Sequence, residues 1–231
     1  MMTDFEKFAE KINIKFNNIN LLQRAFTHRS YLNENKGPDL KHNERLEFLG
    51  DAVLELVTTH HLFTKFPDEA EGVLTAYRSA IVNTTSLLRV AEELEVNNYL
   101  LLSKGEAKDE GRARNFIVAN VIEAIIGAVY LDQGYDSAAK FIDTYFLKIT
   151  DDVVKQSLWQ DSKSSFQEKA QEFEKTTPTY KTVSETGPDH DKKFKIEVLL
   201  KGKTVAVGEG VSKQEAEQEA ARKGLGAKQW I

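Results

Sequence analysis

The chain has 231 residues, with 31 Lys and Arg against 36 Asp and Glu, a net charge of −5, and no cysteine. The missing cysteine excludes disulfides, thiolate zinc sites and a cysteine nucleophile, and it agrees with a reducing cytoplasm. The length suits two domains that each bury a core, and the acidic start Asp4-Phe5-Glu6 is no secretory signal.

The first informative element begins at His42-Asn43-Glu44-Arg45-Leu46-Glu47-Phe48-Leu49-Gly50-Asp51. Leu46, Leu49, Val53 and Leu56 recur at helical spacing, so the segment is predicted to be an amphipathic helix. At about 100° per residue, Glu44, Glu47 and Asp51 fall within an arc of roughly 60°, facing away from most of the apolar stripe. Like charges on one strip repel, and inside a cleft they call for a cation; oxygen-only ligands suit Mg²⁺ or Mn²⁺. His60 and His61, near the end of this helix, read as surface or capping residues. Next comes a Gly-bearing loop with Arg112 and Arg114, either of which is a candidate phosphate contact.

The segment from Ile117 to Tyr130 is apolar nearly all round and should be a buried helix. Asn120 and Glu123 share one of its faces, and a carboxylate in such surroundings needs a partner. Gly127, one turn beyond Glu123, permits close approach of a neighbouring helix. Interrupted by Glu123, the segment is expected to be too short for a membrane span. Taken singly, each acid reads as a ligand or, with equal weight, as a solvated charge or half a salt bridge; the set on two helices favours a metal site. No Glu is followed three residues later by His, so the ferritin-like di-iron pattern is missing.

The helical part is expected to occupy residues 1–153, a linker 154–161, and a second domain 162–231. Ser164 and Gln167 are spaced as a capping box opening a helix with apolar Phe166, Ala170 and Phe173. After Pro178 the period changes: Tyr180, Val183, Phe194, Ile196, Val198 and Leu200 alternate with polar residues as half-buried strands do. Lys201-Gly202 supplies a tight turn before the strand of Val205 and Val207. Ser212 and Glu215 form a second capping box, opening a helix that runs to about Lys228 with Ala216, Ala220 and Ala221 inward. Trp159 and Trp230 read as packing anchors. Residues 161–231 carry a charge balance of +1 and the remainder −6, so the acidity lies with the proposed metal cluster. A balance this close to neutral predicts modest, salt-sensitive affinity for any polyanion.

The stretch HNERLEFLGDAVL at 42–54 resembles the signature of ribonuclease III. Thr27-His28-Arg29-Ser30-Tyr31, Asp68-Glu69-Ala70-Glu71-Gly72, Lys104-Gly105-Glu106, Gly111-Arg112 and Glu123-Ala124-Ile125-Ile126-Gly127-Ala128 follow the family's order. The resemblance implies a dimeric, all-helical endonuclease domain that cuts double-stranded RNA with divalent metal. It implies metal ligands at Glu47, Asp51 and Glu123, with Asp51 and Glu123 catalytic, and further acids of the active-site valley at Glu44 and Glu71. Phe48 matches an aromatic that inserts into the partner subunit. Asn120 stands where the family has a fourth ligand, an Asp; the amide keeps an oxygen but loses a charge. Either an Asp has been replaced to silence the site, or the chain is a natural member that cleaves weakly or not at all. Asn115 and Phe116 replace the family's usual Pro and Ser and remove no ligand.

The second domain resembles an α-β-β-β-α double-stranded-RNA-binding domain. The matches are Gln167-Glu168, Pro178-Thr179-Tyr180, Gly187-Pro188-Asp189-His190 and Ser212-Lys213-Gln214. Such domains reach two minor grooves of A-form RNA and the phosphates between them. Gln167 and Glu168 would meet one groove, Pro188 and His190 the next, and Lys213 with Gln214 the phosphates. The expected function is a cytoplasmic, homodimeric Mg²⁺-dependent endoribonuclease, with no membrane partner, that processes RNA such as ribosomal precursors. Its products would carry 5′-phosphate and 3′-hydroxyl ends with short 3′ overhangs. A non-cleaving double-stranded-RNA-binding regulator is the alternative.

Overall fold

In a computed structural model, residues 3–38, 40–108, 111–155, 161–187 and 192–230 are described. The chain divides into two compact units, 1–159 and 160–231.

Short helices with polar caps open the first unit. Helix α1 (Asp4–Lys11) starts from Thr3, whose side chain accepts from the Glu6 amide while Glu6 reaches back to the cap, a complete capping box. Helices α2 (Ile19–Ala25) and α3 (Tyr31–Glu34) follow, and then the long α4 (Glu44–Lys65). Helices α5 (Glu71–Ile81) and α6 (Thr84–Glu93) lead to the second long helix, α7 (Arg112–Gln133), with α8 (Tyr135–Tyr145) and α9 (Thr150–Lys155) after it. The apolar character of α7 sets the architecture. Val118, Ala119, Val121, Ile122, Ala124, Ile125, Ile126, Ala128 and Val129 are all buried, and α2, α4, α6 and α8 pack around them. A helix apolar on every side gains most when neighbours take every face from water.

This helix is longer than its apolar segment suggested. Ala113–Gln133 is long and apolar enough to cross a membrane by length and composition, which corrects the expectation that it is too short. The stripe on α4 also sits differently: Leu46 and Val53 are buried, but Leu56 is exposed, and Leu54, Val57 and Leu62 complete the inward face. Over 22 residues the buried face drifts, because 3.6 residues per turn does not return to one line.

The second unit runs α10 (Ser162–Glu174), β1 (Thr179–Thr186), β2 (Lys193–Leu200), β3 (Lys203–Gly210) and α11 (Lys213–Lys228). The strands form an antiparallel sheet in the order β1-β2-β3. Phe166, Ala170, Val198, Leu200, Ala220, Ala221 and Leu225 form its core. Helix α10 is capped by Asp161, which accepts from the Ser164 amide, so the expected Ser164–Gln167 box is not the helix start. Lys201 and Gly202, with φ of 49° and 75°, form the tight hairpin turn; positive φ at both positions matches strand twist. A register shift between Thr182 and Ser184 leaves Val183 over half exposed, against the expected alternation. Phe173 is exposed on its outer side yet stacks on Trp230, which also packs on Phe166.

Candidate active site and nucleic-acid interface

Two glycines decide where the acids stand. A Cβ on Gly50 would lie 1.7 Å from the Glu123 carbonyl oxygen, and one on Gly127 would lie 2.2 Å from that of Leu46. Helices α4 and α7 therefore cross backbone against backbone. That crossing sets Glu47 and Asp51 of α4 opposite Asn120 and Glu123 of α7. Gly127 was legible as a close-approach residue; Gly50, its counterpart, was missed, although it lies inside the acidic motif.

The electrostatics confirm that these groups feel one another. Burial pushes the Glu123 carboxyl up to about 7, and the charges of Asp51 and Glu47 add to the rise. Glu47 is also raised, chiefly by burial and further by Glu44 and Asp51, while a hydrogen bond from the Asn120 side chain opposes the rise. Among the described residues, no lysine, arginine or histidine is a named cause of either shift. Such a group of carboxylates is incomplete without positive charge. Among the described residues no three acidic or histidine side chains are drawn into a ready-made metal cage. The carboxylates act through space without touching. The donor set is all oxygen, the kind of ligand that hard divalent cations take.

Glu44 stands at the rim. It is exposed, with Arg29 Nη1 at 3.5 Å and His42 Nδ1 at 3.7 Å from its carboxylate. A cavity of about 100 Å³ beside it is lined by His28, Glu44, Glu47, Phe116, Ile117 and Asn120. Glu71 starts α5, and its carboxylate accepts from Thr75 Oγ1 at 3.1 Å; it is not among the groups that shift Glu47 or Glu123. Phe48 is 81 % exposed on the outer side of α4. Arg114 donates to Asn97 Oδ1 at 3.0 Å. His60 is exposed and His61 half-buried, both within α4.

On the second unit Gln167 and Glu168 are exposed on α10, and Lys213 and Gln214 on the first turn of α11. Ser212 caps α11 by accepting from the Glu215 amide; Glu215 in turn accepts from the Val211 amide, one residue before the position a full box requires. Lys213 is held by Glu185 at 2.7 Å, a pairing that spacing along the chain does not reveal. Pro188 and His190 lie outside the described residues.

Fold and site define a class: a helical domain with an acidic cleft on two glycine-packed helices, followed by a small α-β-β-β-α module. Residues 18–150 match the Ribonuclease-III-like family, and residues 162–226 match the Double-stranded RNA binding motif. Ribonuclease 3 of Bacillus velezensis is 46% identical over 222 residues, which span 96% of this chain and 88% of that protein. Ribonuclease 3 of Listeria innocua is 44% identical, with 96% of each chain covered. The solved nuclease domain of ribonuclease III from Campylobacter jejuni aligns with a TM-score of 0.55 at 37% identity, over 62% of this chain and 99% of that domain. The chain belongs to the ribonuclease III family of endoribonucleases, and its second domain is a double-stranded-RNA-binding module.

Proposed function

We propose that this protein is a homodimeric endonuclease that hydrolyses the backbone of double-stranded RNA with Mg²⁺, or Mn²⁺ in its place. Products would carry 5′-phosphate and 3′-hydroxyl ends with short 3′ overhangs, as in the processing of ribosomal precursor RNA. The observation that carries the proposal is the approach of Glu47 and Asp51 to Glu123 across the Gly50–Gly127 crossing, in a chain that also bears an RNA-binding domain. Glu47, Asp51, Glu123 and the Asn120 carbonyl oxygen would hold the cation. When bound, it supplies Lewis-acid polarisation of a phosphoryl oxygen and stabilises charge on the leaving 3′ oxygen. Burial and the charges of Asp51 and Glu47 hold the Glu123 carboxyl up at about 7, so it exchanges a proton near neutrality. The Asn120 amide beside Glu47 favours the ionised form of that carboxyl. Phe116 and Ile117 give the cleft an apolar wall.

Asn120 supports a second reading, a double-stranded-RNA-binding regulator that does not cut. An amide in place of a carboxylate removes a charge, and even loss of an outer partner costs about 10–100-fold in metal affinity or activity. The deciding experiment is a Mg²⁺-dependent time course on end-labelled duplex RNA, comparing this chain with Asn120→Asp and Glu123→Gln. Asn120→Asp is expected to cleave at least about 10-fold faster, and Glu123→Gln to bind duplex without cutting. Full activity of Glu123→Gln removes that residue from the site, and inert chains with either residue at 120 establish the binder.

A further inference from the structure

We propose that His28 is a substrate-contacting residue of the cleft, donating its Nε2–H to an acceptor oxygen of the RNA backbone; this rests on the RNA-cleaving reading above. The segment carrying His28 is fixed from two sides. The His28 amide donates to the Leu101 carbonyl at 3.0 Å, and the Leu101 amide donates to Phe26 at 2.9 Å. The Asn43 amide, at the start of α4, donates to Thr27 at 2.9 Å, and the Asn43 side chain donates to Ala25 at 3.2 Å. The imidazole thereby lines the same cavity as Glu44, Glu47 and Asn120.

Its tautomer follows from its neighbours. The Ser30 backbone N–H, which can only donate, points to His28 Nδ1 at 3.3 Å. Ser30 Oγ lies 2.8 Å from the same nitrogen and itself accepts from the Ser103 amide at 3.1 Å, leaving its hydroxyl hydrogen for Nδ1. Nδ1 is therefore an acceptor, and the neutral ring carries its proton on Nε2. The cavity's two carboxylates, Glu44 and Glu47, repel a phosphodiester, and its remaining lining is amide or apolar; a fixed neutral donor offers the phosphodiester oxygen a bond without drawing in the acids as a cation would. Glu106 and Glu44 are the acids whose charges reach the ring, and among the described residues neither is hydrogen-bonded to it; Glu44 faces Arg29 and His42.

Two amide replacements separate this role from a structural one. Gln places an amide N–H near the position of Nε2, whereas Asn places an acceptor near Nδ1 and leaves Nε2 unreplaced. His28→Ala, His28→Gln and His28→Asn would be made in the full chain and in its Asn120→Asp form. Duplex-RNA dissociation constants would be read in EDTA, cleavage kinetics in Mg²⁺, and unfolding midpoints by heat. His28→Ala and His28→Asn are expected to lower kcat/KM about ten-fold, the worth of one hydrogen bond to an anionic oxygen, with Gln recovering most of it. Recovery by Asn and not by Gln, tracking the unfolding midpoint, shows a loop-holding role and overturns the proposal. So do three variants that cleave like their parent. Parents that fail to bind duplex RNA remove the underlying reading itself, an outcome distinct from any difference among the variants.

Discussion

At the scale of single residues, the site depends on what two positions lack. With the Gly50 and Gly127 backbones in contact with the opposite helix, any side chain must push α4 and α7 apart. Gly50→Ala should cost about 3 kcal/mol, the upper range of overpacking penalties, and abolish cation-dependent stabilisation because Glu47 and Asp51 retreat from Glu123. Urea unfolding with and without Mg²⁺ measures both; an alanine tolerated with its Mg²⁺ response intact would refute the contact. Glu123 supplies a pH signature. Its folded pKa lies above the ordinary 4.5, at about 7. Its contribution to stability is thus fully present below about pH 4.5 and lost as pH rises through about 7, where the buried charge faces Asp51 and Glu47. Metal-free protein should lose stability across that window, and Glu123→Gln should flatten the loss. Thermal unfolding between pH 4.5 and 8 in EDTA tests this, with a curve unchanged by the substitution as the contrary result. Asn120 was readable in the sequence as an anomaly, but the sense of its effect on Glu47, favouring the ionised carboxyl, was not, because a helical register fixes faces and leaves side-chain rotamers open.

At the scale of elements, patterns that depend on neighbours along the chain were legible and pairings across it were not. Helix α4, the buried character of α7, the Lys201-Gly202 turn and the span of α11 follow from periodicity and turn chemistry. The start of α10 did not: Ser164 and Gln167 have the right spacing, but Asp161 also accepts from Gln218, and that second partner comes from α11. Val183 reads as an inward strand residue until the register shift opposite β2 turns it out. The Lys213–Glu185 pair belongs to the same category, since it joins the start of α11 to the end of β1. It bears on RNA binding, because an ammonium engaged by a carboxylate must exchange that partner for a phosphate. Glu185→Gln should tighten duplex-RNA binding about two- to five-fold, the range measured for exposed pairs. It should also steepen the dependence of affinity on salt by about one counterion. Fluorescence anisotropy across a salt series reads both quantities, and weaker binding on removal of Glu185 would show that the pair orders the surface instead of masking it.

At the scale of the whole molecule, the outer side of α4 carries apolar surface that the first unit does not cover. Phe48 is 81 % exposed, Phe63 70 % and Leu56 57 %. A large aromatic kept in water loses the roughly 1.5–3 kcal/mol that burial would return, and contiguous apolar surface of this kind marks association sites. A second copy of this chain, burying Phe48 against a shallow hollow bounded by Leu49, Leu131 and the Arg24 and Arg45 stems, suits a two-fold contact in which each subunit gives and receives the same ring. The resemblance in the sequence implied that Phe48 enters a partner subunit; the fold adds that it has no place in its own core. Phe48→Glu should therefore convert a dimer to a monomer, because burying an unpaired carboxylate in that hollow is far costlier than leaving it in water. Sedimentation velocity at micromolar concentration would report the change. The same variant should nick single strands of duplex RNA or fail to cut, since a lone subunit carries one acidic cleft, while its second domain still binds. A Phe48→Glu chain that sediments with its parent would place the subunit contact on another face.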